Sequence, residues 1–170
     1  MNLRVDYIDN FETKALDAIR DLSSDAERID IAVAFLSYHG WVELKPCLMG
    51  MVECGGQLRV IVRRDVRQNS AEAVEELFNF PNTQVAFGLV DTAFHPKDYL
   101  FYAGKKLTVL TSSANATYHG LMHNEESGAI VSHPDVTTDE AAQKAIGIFE
   151  RRWKGATLVD GNVLASFKAE

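Results

Sequence analysis

The run Arg28–Leu36, R-I-D-I-A-V-A-F-L, most constrains what this chain can fold into. It is mostly apolar and lacks the polar alternation of a strand with one wet face. Such a run reads as a buried strand covered on both sides. Its flanks alternate strand and helix patterns. Leu3–Ile8 alternates as a strand, and Phe11–Leu22 has helical apolar spacing. Gly40–Cys54 reads as a helix despite Pro46, closed by Gly55-Gly56. Leu58–Val62 is a short β-branched strand, and Ser70 caps a helix with acidic first turns. Thr83–Leu89 is another strand.

The second half changes character. Phe94–Tyr102 and Lys106–Thr111 read as two strands around Ala103-Gly104-Lys105, a hairpin turn signal. Glu126–Ser132 is a further strand, Thr137–Trp153 a long helix, and Lys154–Glu170 a short strand or trailing segment. The order predicts one α/β domain over residues 1–170, with a mixed, mostly parallel β-sheet flanked by helices on both faces. No internal repeat or linker interrupts it.

The chain has 170 residues and 46% hydrophobic content, enough to bury a sizeable core. No apolar run reaches the length of a membrane span and no signal peptide opens the chain, so a cytoplasmic protein without a membrane partner is expected. Cys47 and Cys54 fall in one predicted helix, about 10 Å apart by helical rise, beyond disulfide reach. They read as buried thiols in a reducing setting. The net charge of −7 argues against a large basic nucleic-acid face, but not against a local basic site. Arg59, Arg63, Arg64 and Arg67 are one candidate phosphate track, with a solvated surface as the alternative.

The chemistry concentrates between His95 and Glu126. A turn centred near Gly104 sets Lys97 opposite Thr111 and His95 opposite Ser113. Positions two apart on a strand share a face, so His95 and Lys97 point the same way. Ser113 and Asn115 lie just past the partner strand, and Glu126 begins the next. Any one of these residues has an ordinary reading: a strand histidine, a solvated lysine, a turn asparagine. Together they suit attack on a phosphodiester. A neutral imidazole is a nucleophile for phosphorus, a lysine and an amide hold the developing charge, and a carboxylate fixes the imidazole tautomer. Glu125 competes with Glu126 for the last role. His119 and His123 are four apart, a metal-binding spacing on a helix, but a loop is expected there. Phe35 and Trp41 read as core rather than base-stacking platforms.

These residues resemble the phospholipase D superfamily, and within it the branch of nucleases and metal-independent restriction endonucleases. His95-Pro96-Lys97 matches H-x-K, Ser113-Ala114-Asn115-Ala116-Thr117 is similar to S-x-N-x-T, and Gly120-Leu121 with Asn124-Glu125-Glu126 to the G-L…N-x-E element. Tyr102 stands where the full signature has an aspartate, and Ser112 where a glycine usually precedes the serine. The resemblance implies a phospholipase D-like fold and a phosphodiesterase, with DNA the first-choice substrate. His95 is the implied nucleophile and Glu126 its orienting carboxylate. Lys97, Asn115 and Ser113 would bind the phosphoryl oxygens, with Ser112 and Thr117 beside them. It implies no cofactor and no metal. With one motif copy per chain, it implies a homodimer in which the second His95 protonates the leaving group. A separate DNA-recognition or helicase partner would offset the acidic charge. A phospholipid substrate and a non-catalytic dimerisation module are the alternatives.

Overall fold

A computed structural model describes residues 3–89 and 93–170. Eight strands form one sheet: β1 (Arg4–Ile8), β2 (Arg28–Val33), β3 (Gln57–Val62), β4 (Thr83–Phe87), β5 (Lys97–Ala103), β6 (Lys106–Ser112), β7 (Gly128–His133) and β8 (Thr157–Leu158). Their order across the sheet is β1-β7-β6-β5-β2-β3-β4-β8. The apolar run is the inner strand β2, paired to β5 on one side and β3 on the other.

The sheet is mixed, as expected, but not mostly parallel. Only β2–β3 and β3–β4 are parallel, the two pairs joined through helices α2 (Tyr38–Glu53) and α3 (Ala71–Phe78). The other five ladders are antiparallel. The hairpin reverses the chain, so β5, β6 and β7 continue antiparallel beside β2.

Helices cover both faces unequally. On one face, α1 (Ala15–Ser23), α2, α3, α4 (Tyr118–Met122) and α6 (Gly161–Ala169) bury a core containing Ile29, Ile31, Val33, Val60, Tyr99 and Leu110. On the other face, α5 (Glu140–Gly155) seals a smaller cluster of Ala32, Ile61, Leu100, Leu107, Ala142 and Phe149. The alternation of strand side chains assigns each residue to its layer.

Local chemistry corrects several boundaries. Phe11–Lys14 is not helical, because Asp9 Oδ1 accepts from the amides of Phe11, Glu12 and Thr13 and turns the chain first. Phe11 is left 89% exposed rather than on a helix's core stripe. The tail forms α6, capped by Asp160, whose carboxylate accepts from the Asn162 and Val163 amides. Leu164 and Phe167, three apart, bury its inner face. Neither thiol is fully buried: Cys47 is half-buried in α2 and Cys54 is exposed at its C-cap. Among the described residues, no helix is long and apolar enough to cross a membrane.

Candidate active site

Antiparallel order decides where the chemistry gathers. Chains leaving β1, β2 and β6 and chains entering β5 and β7 all meet at the same end of the sheet. His95 and Pro96 lie just ahead of β5. Proline has no amide to give, and the segment is held instead by the Ala34 amide donating to the Pro96 carbonyl (2.9 Å).

The hairpin register differs by one residue from the sequence reading. Asp98, not Lys97, pairs with Thr111, because the turn is the two-residue Gly104-Lys105 between paired Ala103 and Lys106. Gly104 has φ of 56°, which costs a glycine little. The slip sends Lys97 towards the larger helical layer and Asp98 towards α5, where it accepts from Arg152 (2.6 Å).

Lys97 is 8% exposed, yet its ammonium reaches the exposed His95 ring, Nζ to Nδ1 being 2.7 Å. It also donates to the His95 carbonyl (3.2 Å). Burial draws the Lys97 pKa below its ordinary value, against the charges of Glu126 and Asp98. Phe35 packs edge-on to His95 with ring centroids 5.4 Å apart. It is half-exposed at the site rather than core, whereas Trp41 is buried as expected.

The second wall follows β6. Ser113 Oγ donates to Glu126 and accepts from the Ser127 amide (3.1 Å), and Asn124 Nδ2 donates to the other Glu126 oxygen (3.3 Å). Glu126 is thus near enough to Lys97 to be felt as a charge, but its hydrogen bonds go to Ser113 and Asn124 rather than to His95. Asn115 Oδ1 is buried and has no hydrogen-bond partner among the described residues. Ser112 Oγ accepts from the Ala114 amide and Thr117 Oγ1 from the Gly120 amide. Both hydroxyls shape the turn, and Ser113 Oγ is likewise committed to Glu126 and the Ser127 amide.

The segment after Asn115 is the short helix α4, not a loop. Gly120 lets it close on the site: a Cβ there would meet the Asn115 carbonyl oxygen at 2.6 Å. His119 and His123 pack with Tyr118, ring centroids 4.8–5.9 Å apart. Among the described residues, no group of three or more His, Cys, Asp or Glu side chains is placed to hold a metal. Glu125 is exposed and lines a cleft with Asp9 and His123.

Two supports escaped the sequence reading. Asn10 is buried at φ 61° and clamps the wall that carries Glu126, donating to the Gly120 and Asn124 carbonyls (2.7 and 3.1 Å). Asn69 ties down the exit of β2, accepting from the Leu36 amide (2.6 Å) and donating to the Ala34 and Arg63 carbonyls.

Of the suggested arginine track, Arg63, Arg64 and Arg67 line one pocket with Asp65 and Glu170, and Arg59 is not among its lining residues. Arg59 is held by Asp30 and Glu150, Arg64 by Glu170, and Arg63 and Arg67 lie near Asp65.

The fold and these residues define a phospholipase D-like domain. The chain belongs to the family described as cardiolipin synthase, PLD-like domain, which matches residues 18–153. Its fold is similar to that of NucT from Helicobacter pylori (TM-score 0.73, 17% identity), covering 92% of this chain and 99% of that one. It is similar also to Nuc from Salmonella typhimurium, a phospholipase D family member (TM-score 0.68, 16% identity), covering 94% and 99%. Phosphatidylserine synthase from Haemophilus influenzae Rd KW20 shares the fold at TM-score 0.66 and 13% identity, over 92% of this chain but 40% of that one. No curated protein matches in sequence.

Proposed function

We propose that this chain is a cytoplasmic, metal-independent phosphodiesterase, a nuclease that cleaves DNA through a covalent phosphohistidine at a site shared by two copies. The observation that carries the reading is the 2.7 Å contact between Lys97 Nζ and His95 Nδ1 at the end of the sheet where Asn115 and Glu126 also lie. The near-complete overlap in fold with the NucT and Nuc chains supports reading residues 1–170 as one domain.

A neutral His95 that accepts from Lys97 at Nδ1 carries its proton on Nε2. Attack through Nε2 needs the opposite tautomer. A substrate phosphate supplies the change: it takes the Lys97 ammonium, so Nδ1 takes a proton from water while Nε2 gives its own up to water, and the Nδ1–H is held in a hydrogen bond by a carboxylate. Glu126 is that carboxylate, once released from Ser113 or presented by the second copy. Nε2 then bonds to phosphorus, the P–O bond to the leaving oxygen breaks, and the second copy's His95 protonates that oxygen. Water, deprotonated by the same second histidine, attacks phosphorus, and the P–N bond breaks to regenerate His95. Asn115 and Lys97 hold the charge that develops on the phosphoryl oxygens.

The test is hydrolysis of plasmid, single-stranded DNA, RNA and bis-(p-nitrophenyl)phosphate in excess EDTA. DNA cleavage that survives chelation is expected. Activity that vanishes with EDTA and returns with a divalent ion sinks the mechanism, and hydrolysis confined to phospholipid vesicles would move the substrate to a lipid diester. Lys97→Ala and Asn115→Ala should each lower kcat by about 10²–10³-fold, the scale for one charge-stabilising donor.

A further inference from the structure

We propose that Arg151 binds a phosphate flanking the scissile one, so that the site selects a strand with several phosphodiesters over an isolated diester. This deepens the reading of His95 as the nucleophile and rests on it. A cavity of about 540 Å³ opens beside His95, walled by Leu89, Phe94 and Pro96 and completed from α5 by Arg151 and Arg152. Arg152 is committed to Asp98 at 2.6 Å. Arg151 is exposed and makes no ion pair among the described residues.

That freedom sets it apart. Each of the other eight arginines of the chain has a carboxylate partner: Arg4, Arg20, Arg28, Arg59, Arg63, Arg64, Arg67 and Arg152. In a chain of net charge −7, an arginine left unpaired at the rim of the candidate active site is the cation best placed to meet a polyanion. A cation near the end of α5 also complements the helix dipole, but Lys154 stands closer to that end. A guanidinium suits phosphate oxygens because its fork donates two parallel hydrogen bonds. The apolar walls leave room for the base or sugar between two phosphates, which a compact diester does not have.

The test compares Arg151→Gln with the wild-type protein on a labelled single-stranded oligonucleotide and on bis-(p-nitrophenyl)phosphate, which has no neighbouring phosphate. The expected result is a loss of about tenfold in kcat/KM on the oligonucleotide, carried by KM, and at least fivefold less loss on the small diester. The slope of log affinity against log salt should fall by about 0.7 for one lost single-strand phosphate contact. Arg151→Lys should recover part of the loss. Lys144→Gln, which removes an exposed charge elsewhere on α5, should leave the ratio between substrates unchanged. Equal losses on both substrates, or none on either, overturn the assignment. If the wild-type protein hydrolyses neither substrate, the nuclease reading fails and oligonucleotide binding by anisotropy decides Arg151 alone. Weaker binding with a lower salt slope in Arg151→Gln then supports it, and unchanged or absent binding overturns it.

Discussion

His95→Ala is expected to abolish phosphodiester turnover, by at least about 10⁴-fold, while the protein stays folded. The magnitude follows from removing a nucleophile for which no neighbour substitutes. The fold survives because the ring is exposed, lies outside the strand ladders and touches mainly Lys97 and the edge of Phe35. A stability change within about 1 kcal/mol is expected for such a position. The same variant tests assembly. If two His95 side chains act across a two-fold axis, excess His95→Ala chains mixed with wild-type chains lower activity beyond simple dilution. Sedimentation should give a dimer at micromolar concentration. Near-wild-type rates in His95→Ala remove the assignment outright, whereas a fully active monomer removes only the shared site and calls for another general acid.

How much of this was legible in the sequence depends on the range of the interaction. The H-x-K spacing, the turn at Gly104 and the cap at Ser70 are set by residues within a few positions of one another, and the structure has them. The sheet's parallel content was not legible. It depends on which strands become neighbours, and β2 lies between β3 and β5 rather than beside β1. The register error came from one residue of turn geometry, and it had a chemical consequence: Asp98 rather than Lys97 faces Thr111 and Arg152. Asn10 and Asn69 stayed hidden because their partners are carbonyls and amides far along the chain, which a residue pattern does not encode. Sequence does not display the buried carboxylate Asp30, which takes Arg59 away from the other arginines of the suggested track. The absent signature aspartate has a local answer. Tyr102 lies near the far end of β5, some 16 Å from Lys97 at strand rise, and its ring sits under Arg28 at 4.7 Å. In this chain that position belongs to the sheet's packing and not to the cluster around His95.

The charged cluster next to Tyr102 sets the largest expected effect on stability. Asp30 is fully buried on the α5 face of β2, an acid inside the most apolar run of the chain. Arg59 binds both of its oxygens at 2.8 Å, and Arg28 binds them at 3.1 and 2.6 Å. Glu150 of α5 bridges the two guanidiniums from outside, and the Phe149 and Trp153 rings lie 4.8 and 4.9 Å from Arg59. Burial works against the Arg59 charge, but its bonds to Asp30 and Glu150 outweigh that and raise its pKa. Asp30→Ala therefore leaves a largely buried guanidinium with one partially exposed partner, a change that costs about 3–5 kcal/mol. For a chain of this size that corresponds to a Tm lower by about 10 °C. The double variant Asp30→Leu with Arg59→Met removes the more buried pair and leaves Arg28 with Glu150, so it should regain much of that loss. Glu150 adds a pH dependence. Its bond to Arg59 lowers its pKa below the ordinary carboxylate value, so its contribution is complete above that value and drains away as pH falls through the lowered one. Thermal unfolding of the variants at neutral and acidic pH measures all of this. An Asp30→Ala protein melting within about 2 °C of wild type would show that the cluster is no more than a solvated decoration of the sheet.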